Sequence, residues 1–349
     1  MTQSAVLSTR VQIKRNYDDL PFDLQTNYNV SGISVARTQY ALQIAGLDQG
    51  MELHRLNTLS EERQHHLVQQ QLITPDLLRF PQNSAVMLQE ETGVSIMINE
   101  HDHLVIQVKS PTDDVQQVAA RCMALEKAIA QHTIFAYHQE FGYLTSRVDE
   151  SGIAMRGYMT LHLPLLTRSG KLAAIQEQVR ARFGMELLPL MVEDGRVQAD
   201  LYQLETIVNA FSAPEDLYQG MYQGAAAVLE GERDSMPRPP EVLRKMENGV
   251  RRSYGILKYA SQMPLGDFLA HWSNLRTGAI HFHFRGWPEL HQVDELLRRC
   301  MPARLSLMEM DSWLAEQGEN ILLPEEAAED LDARRALVCR AALQALDEL

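Results

Sequence analysis

The chain has 349 residues, 45% of them hydrophobic, and a formal net charge of −14 at pH 7. This length permits a sizeable core and favours two domains. The acidic charge argues against nucleic acid or an anionic membrane surface as the main partner, and no apolar run approaches the ~18 residues of a membrane span. The N-terminal residues lack the apolar core of a signal peptide. Three widely spaced cysteines favour a reducing cytoplasm over a disulfide framework.

Hydrophobic periodicity predicts strands and helices in mixed order before residue 230. The first predicted strand covers 103–108 and places Val105 on the face opposite Leu104 and Ile106. In the second, over 157–163, one face carries polar side chains beside an arginine: Arg156, Tyr158, Thr160 and His162. Helices are predicted over 114–132, 172–183 and 202–210.

A charged segment with three prolines, over 230–241, has no periodicity and predicts a linker. We therefore expect two domains, residues 1–232 and 233–349. The second domain is predicted to be mostly helical, with helices over 240–259, 264–276, 289–299, 312–317 and 325–349. The His101–His103 and His281–His283 pairs lack a third ligand at suitable spacing, so no metal site is predicted.

One short loop resembles a known signature. Ile98-Asn99-Glu100-His101-Asp102-His103-Leu104 resembles the Asn-Glu-Glu-Asp-His-Leu loop of the phosphagen kinase superfamily, the ATP:guanidino phosphotransferases. The resemblance implies catalytic positions at Glu100, His101 and Asp102. In that family the second Glu contacts the substrate guanidinium and is the usual candidate for its base. Here His101 takes that position; it can act as a base near neutral pH but offers a guanidinium no carboxylate.

Phosphoryl transfer from ATP needs several cations and magnesium around the phosphates, and arginine suits this role because its planar fork pairs with phosphate oxygens. The segment 8–16 resembles the family's Ser-Ser/Thr-Arg-Val-Arg-Leu-Ala-Arg-Asn stretch, which implies a nucleotide-binding remnant at Ser8 and Arg10. Gln12 replaces the second arginine of that stretch. Val105 replaces the arginine that follows the signature loop.

Three further stretches extend the resemblance. Segment 141–164 resembles Gly-Tyr-Leu-Thr followed by Leu-Arg-Ala-Ser-Val-Met-Leu-His-Leu-Pro; it keeps an arginine as Arg156 and has Arg147 where the family has its active-site cysteine. Segment 188–195 resembles the Arg-Gly-x-x-Gly-Glu stretch, with Leu188 at the arginine and Glu193 at the Glu. Segment 72–75 resembles a His-Leu-Ile-Ser-Pro stretch, with Gln71 at a nucleotide-contacting histidine.

The C-terminal part resembles the bacterial protein arginine kinase branch, whose added helical domain dimerises and carries a phosphoarginine pocket with an Arg-Asp-x-x-Arg-Ala motif. The matching stretch is Leu331-Asp332-Ala333-Arg334-Arg335-Ala336. The resemblance implies a pocket at Asp332 and Arg335, with Leu331 in place of the leading arginine. The alternative is an ordinary ion pair between two residues three apart on a helix.

The resemblance implies an α+β fold: an antiparallel sheet flanked by helices, followed by a mostly helical domain. The leading hypothesis is a degenerate kinase that serves as a regulatory or binding subunit in protein arginine phosphorylation or protein quality control. One alternative is an active kinase that uses ATP and Mg²⁺ to phosphorylate protein arginine or a small guanidine. Another is a phosphoarginine-binding adaptor. The implied partners are a protein or guanidino ligand, an active kinase homologue, a Clp-type unfoldase, and a second copy in a homodimer.

Overall fold

A computed structural model describes residues 5–22, 28–193, 196–208, 211–282, 284, 286–310, 312–313 and 330–344. Its central feature is an eight-stranded antiparallel sheet. The strands of this sheet, in chain order, are β1 Val6–Arg15, β2 Glu52–Arg55, β3 Ala85–Gln89, β4 Val94–Ile98, β5 Leu104–Ser110, β8 Met155–His162, β9 Met185–Pro189 and β12 Leu201–Thr206. They are ordered β2-β3-β4-β5-β1-β8-β12-β9. Two short hairpins lie outside it, β6 Tyr137–His138 with β7 Gly142–Tyr143, and β10 Val192–Glu193 with β11 Arg196–Val197.

The helices of the first part are α1 Tyr28–Ile44, α2 Glu61–Gln69, α3 Val115–Ala130, α4 Pro164–Ser169, α5 Leu172–Phe183 and α6 Pro214–Asp234. Those of the second part are α7 Pro240–Tyr259, α8 Leu265–His281, α9 Leu290–Cys300, α10 Pro302–Leu307 and α11 Leu331–Gln344. This architecture confirms the predicted fold class. Within the described part of the chain, no helix combines the length and apolar character needed to cross a membrane.

Side-chain alternation gives the sheet two different faces. On one face Val11, Ile13 and Ile106 are fully buried and join the main hydrophobic core, which α1, α3, α5 and α6 complete. Helix α3 begins where the side chain of Asp114 accepts a hydrogen bond from the backbone N–H of Gln117 at 2.9 Å. The opposite face of the central strands is polar, because every second residue of a strand points away from the core.

The C-terminal helices form a second core around the fully buried Trp272, Phe268 and Leu275. Strand β12 contributes Leu201 to this core, so the helices pack directly against the end of the sheet.

A buried polar chain joins the sheet to α8. His162 is the last residue of β8. Its Nε2 lies 2.9 Å from Oγ of Ser273, and its Nδ1 lies 3.2 Å from Nη1 of Arg276. Ser273 donates to Asp200 at 2.5 Å, and Arg276 also pairs with Asp294 at 2.7 Å. Burial, and then the charge of Arg276, lower the pKa of His162 well below 6.5. A neutral imidazole that accepts at Nδ1 and donates at Nε2 fits this arrangement.

Most predicted elements are confirmed. Helices over 114–132, 172–183 and 240–259 correspond to α3, α5 and α7, and the faces assigned to the strands over 103–108 and 157–163 are those observed. The predictions for residues 209–210, 283, 314–317, 325–329 and 345–349 lie outside the described residues.

Two predictions are wrong. Residues 202–206 form part of strand β12 rather than a helix; Tyr202 and Leu204 point into the main core while Gln203 lies on the polar face. A short apolar run of this kind does not distinguish a strand from a helix segment. The predicted linker is too long, because α6 continues to Asp234. The buried carboxylate of Glu232 accepts hydrogen bonds from the backbone N–H groups of Leu165 and Leu166, which holds this end of α6 against α4.

The buried His162 predicts a pH-dependent stability. Because its folded-state pKa lies below the unfolded value of 6.5, the unfolded chain binds the extra proton, and stability falls as pH drops below about 6.5. This residue should lower the stability at pH 5 relative to pH 8 by up to about 2 kcal/mol, the limit set by the unfolded pKa of 6.5. Urea unfolding of wild type and His162→Gln at both pH values measures it, since glutamine keeps one donor and one acceptor. His132→Gln, at an exposed position, is the control; equal acid sensitivity of wild type and His162→Gln would contradict the assignment.

Candidate functional site

The polar face of the central strands gathers the residues that the family resemblance singles out. In the β1–β8 pairing, Arg10 lies opposite Tyr158 and Gln12 lies opposite Arg156. Ser8 lies on the same face, two residues before Arg10. Val105 lies opposite Lys14 in the β1–β5 pairing, and Leu188 lies opposite Gln203 at the edge of the sheet. The structure therefore brings together residues that are distant in sequence.

A network of carboxamides occupies the centre of this face. Gln12 donates to Oε1 of Gln107 at 2.8 Å, and Tyr158 donates its hydroxyl proton to Gln12 at 3.0 Å. Gln107 in turn donates to the backbone carbonyl of Gln71 at 2.8 Å and lies 3.1 Å from the hydroxyl of Ser95. Gln71 adopts a left-handed backbone conformation with φ of 58°. These contacts satisfy buried polar groups without any formal charge.

Val105 does not border an open pocket. It is 1% exposed and packs into a small apolar cluster with Leu67 and Met97, under α2. A cation at this position would lie among hydrocarbon side chains, where a charge is costly.

The two retained arginines have different surroundings. Arg10 stacks over the ring of Tyr158, with 4.0 Å from its guanidinium carbon to the ring centre, and makes long hydrogen bonds of 3.4 and 3.3 Å to the side chains of Gln107 and Gln203. Arg156 donates to the Glu205 carboxylate at 3.1 Å. Among the described residues, the buried Nε of each arginine has no hydrogen-bond partner. Burial lowers the pKa of Arg10, and the nearby Arg156 acts in the same direction.

Lys14 continues the row of Arg10 and Gln12 along β1. Its ammonium forms an ion pair with the buried carboxylate of Glu150. Burial opposes its charge, but the hydrogen bond to Glu150 and the nearby carboxylates of Glu100 and Asp102 outweigh burial and raise its pKa. Lys14, Glu150 and Arg156 line a small cavity that Phe211 also borders. This end of the face therefore already holds a positive charge against the carboxylates of the signature loop.

Buried side chains anchor the signature loop. Asn99 has φ of 61° and donates to the backbone carbonyls of Ser31 and Asn83 at 3.1 and 2.8 Å. Asp102 is fully buried and accepts from the Asn16 amide and from the backbone N–H of Ser146, both at 2.6 Å.

The other two candidate catalytic residues of the loop are more accessible. Glu100 accepts a hydrogen bond from the hydroxyl of Thr74. The His101 side chain is 28% exposed, and its Nε2 lies 3.5 Å from a carboxylate oxygen of Asp76. Thr74 belongs to the stretch that resembles His-Leu-Ile-Ser-Pro, and Asp76 follows it directly, so the structure brings this stretch to the signature loop.

Other predicted positions lie apart from this cluster. Arg147, at the position of the family's cysteine, is exposed and pairs with Asp149 at 3.1 Å. The backbone of Glu193 lies in β10, and its side chain is outside the described part of the structure.

Arg335 lies in the second core and is 1% exposed. Its guanidinium donates to the backbone carbonyls of Cys300 and Met263 at 2.9 and 2.7 Å, and to Asp332 at 2.6 Å. The ion pair between Asp332 and Arg335 is thus present, but its arginine is buried rather than solvated. A phosphate that bound here would have to replace these contacts.

Several residues of the polar face were not identified from the sequence: Lys14, Gln107, Lys109, Glu205 and the hydrogen-bonding role of Gln203. Strand alternation offered the signal, because Lys14 shares a face with Arg10, and Gln107 and Lys109 share one with Val105.

Known proteins show similarity in sequence and fold. Residues 35–235, more than half of the chain, match the sequence profile of the ATP:guanido phosphotransferase C-terminal catalytic domain. The chain is 28% identical over 307 residues to the protein-arginine kinase of Pelotomaculum thermopropionicum, covering 87% of this chain and 86% of that protein. It is 27% identical over 351 residues to that of Symbiobacterium thermophilum, covering 97% and 93%.

Solved structures agree on the fold. The crystal structure of lombricine kinase superposes with a TM-score of 0.58 at 17% identity, over 68% of this chain and 71% of that one. The duplicated taurocyamine kinase of Schistosoma mansoni superposes with a TM-score of 0.58 at 18% identity, over 75% and 40%. From its profile match and its antiparallel sheet, the chain belongs to the ATP:guanido phosphotransferase family and resembles the bacterial protein-arginine kinases.

Proposed function

We propose that this chain is a degenerate protein-arginine-kinase-like protein that acts as a regulatory or binding subunit rather than as a phosphotransferase. The observation that carries the proposal is the neutral carboxamide network at the centre of the polar face. There Gln12 and Gln107 hydrogen-bond to one another at 2.8 Å, at a place where the family resemblance implies an arginine. Phosphates need cations at this point, because charge stabilisation is most of what the protein contributes to phosphoryl transfer.

The face does not fit a magnesium triphosphate. At the positions matched to phosphate arginines, Gln12, Val105 and Leu188 are neutral. Arg156 is positively charged, but its guanidinium is paired with Glu205 at 3.1 Å. Among these matched positions, only Arg10 carries a charge without an ion pair to a described carboxylate. One such cation does not suffice for the charge of a triphosphate and its magnesium.

The guanidinium end of the face is also changed. The Lys14 ammonium pairs with Glu150, and the carboxylates of Glu100 and Asp102 stabilise its charge. An incoming guanidinium would compete with this ammonium for the same negative charges.

The rate cost of these changes is large. Loss of one arginine that stabilises the transferring phosphoryl group costs about 10³–10⁵ in rate, and loss of a general base costs about 10²–10⁴. The two losses are not additive, but either removes most of the activity.

The proposed role takes its context from the relatives, which are named protein-arginine kinases. We propose that the chain works in the cytoplasm in protein arginine phosphorylation or protein quality control, as a homodimer formed through its C-terminal helices. Its partner would be a protein or guanidino ligand, an active kinase homologue, or a Clp-type unfoldase.

One observation favours the active-kinase alternative. His101 is partly exposed and lies 3.5 Å from the Asp76 carboxylate, an arrangement that can orient an imidazole base. The phosphoarginine-adaptor alternative has no comparable support, because Arg335 is buried with three intramolecular partners. Phosphoarginine binding that a folded Arg335→Ala variant loses would favour the adaptor.

The neutral centre of the face predicts weak nucleotide binding. Calorimetric titration with magnesium-ATP should show no dissociation constant below about 1 mM, a binding free energy near −4 kcal/mol. Arg156→Met and the control Arg147→Met, which alters an exposed arginine outside the face, should then behave alike. A micromolar constant that Arg156→Met weakens and Arg147→Met does not would show a working phosphate site.

The second prediction concerns catalysis. Incubation with labelled ATP and an arginine-rich protein should yield no acid-labile phosphate above background. His101 replaces the second carboxylate of the signature, and three positions matched to phosphate arginines are neutral. A protein-arginine kinase relative provides the positive control. Activity that His101→Ala abolishes and the exposed-site variant His138→Ala retains would establish the active-kinase alternative.

A further inference from the structure

Two cations face each other on the polar side of the sheet. In the β1–β5 pairing Arg10 lies directly opposite Lys109. Like charges at directly opposed positions repel and destabilise a sheet. Neither the matched family positions nor the proposed function uses Lys109, which lies four residues beyond Val105 on the same strand face.

The contacts of these two side chains are neutral. The Lys109 ammonium donates to the backbone carbonyl of Gln70 at 2.8 Å. Arg10 reaches carboxamide oxygens at 3.3 and 3.4 Å, which is long for a charged donor, and its buried Nε has no partner among the described residues. Within the described part of the chain, no carboxylate forms an ion pair with either side chain. Glu205, the carboxylate whose charge acts on Arg10, already bonds Arg156 and Gln203.

Partly buried charges are normally paired, and an unpaired buried donor indicates a missing ligand or ion. We propose that Arg10 and Lys109 form a binding site for a phosphate-class oxyanion, the phosphate group of a small molecule. An oxyanion between the two strands would accept from the unpartnered Nε of Arg10 and from Lys109. It would also remove the repulsion between them.

The second cation of the site is displaced from the position that the family resemblance implies. The sheet carries no charge at Val105 but carries one at Lys109, four residues or about 14 Å further along the strand at about 3.4 Å per residue. Burial, followed by the charges of Arg10 and Arg298, lowers the pKa of Lys109 to about 7, as expected for a cation without its counterion. The inference rests on the proposed binding role of the degenerate face and adds a ligand class to it.

Thermal unfolding of the full-length chain tests the site, with inorganic phosphate as the probe and sodium chloride at matched ionic strength as the reference. Phosphate should raise the wild-type midpoint and should bind at least tenfold more weakly to Lys109→Met by calorimetry. Lys109→Arg should retain binding. Lys127→Met removes the same charge from the exposed side of α3 and should bind as wild type does.

A second measurement separates a ligand site from a purely structural lysine. Without phosphate, Lys109→Met should be at least as stable as wild type, because it removes an uncompensated partly buried charge. Equal phosphate binding by wild type and Lys109→Met, or no binding by wild type at 10 mM phosphate, overturns the proposal. The proposal is also overturned if Lys109→Met is destabilised and phosphate shifts its thermal midpoint by the same amount as that of wild type.

The nucleotide arm identifies the source of the phosphate. ADP that binds within tenfold of inorganic phosphate, with no binding of adenosine, supports a site for the phosphate group alone. ADP that binds a hundredfold more tightly overturns it in favour of a nucleotide pocket. If phosphate does not bind and magnesium-ATP supports no phosphorylation, this inference is wrong and the proposed function stands. If the chain transfers phosphate from ATP, the proposed function is wrong whatever the result with inorganic phosphate.

Discussion

The carboxamide of Gln107 is the contact on which the polar face of the sheet depends. This side chain is fully buried and connects β5 to β1 through Gln12, to β4 through Ser95, and to the turn after α2 through the carbonyls of Gln71 and Leu72. A carboxamide suits this position because it donates and accepts at once, and so satisfies partners of both kinds. A buried polar network is stable only when all its members are satisfied. The centre of the face is therefore a self-contained structural layer rather than an open cradle for a triphosphate.

The redistribution of positive charge on this face follows from the same constraint. Val105 lies in an apolar cluster under α2, where the charge of an arginine would be buried among hydrocarbon side chains at a high cost. Lys14 remains charged because Glu150 compensates it, and Lys109 remains on the strand where a backbone carbonyl is within reach. Arg156 has Glu205 as its partner. Of the four cations discussed on this face, Lys14 and Arg156 are thus paired with carboxylates and have a structural role. Arg10 and Lys109 have no such partner among the described residues, and they are the charges available to bind a ligand.

The sequence predicts the strands of this face well and their contacts poorly. Arg156, Tyr158, Thr160 and His162 share a face as expected, because alternation over a long central strand leaves no other arrangement. The helix expected at 202–210 failed because two or three apolar residues fit either period. The partner of Lys14 is Glu150, 136 residues away, and no local pattern specifies it. The acceptors of Arg335 include the carbonyls of Cys300 and Met263, which side-chain patterns do not encode.

The buried chain at the end of β8 has a mechanical consequence. His162 and Arg156 belong to one strand and point to the same face. Three pleats of this strand therefore separate the contact of α8 with His162 from the guanidinium of Arg156. The connection from α6 to α7 spans only residues 235–239, and Glu232 holds the end of α6 against α4. Rotation of α8 away from the sheet would break the hydrogen bonds of Ser273 to His162 and Asp200 and the contact of Arg276 with His162, whereas a small shift of the strand together with α8 would keep them. Strand β8 is therefore a direct physical connection between α8, which contacts it at His162, and Arg156 on the polar face.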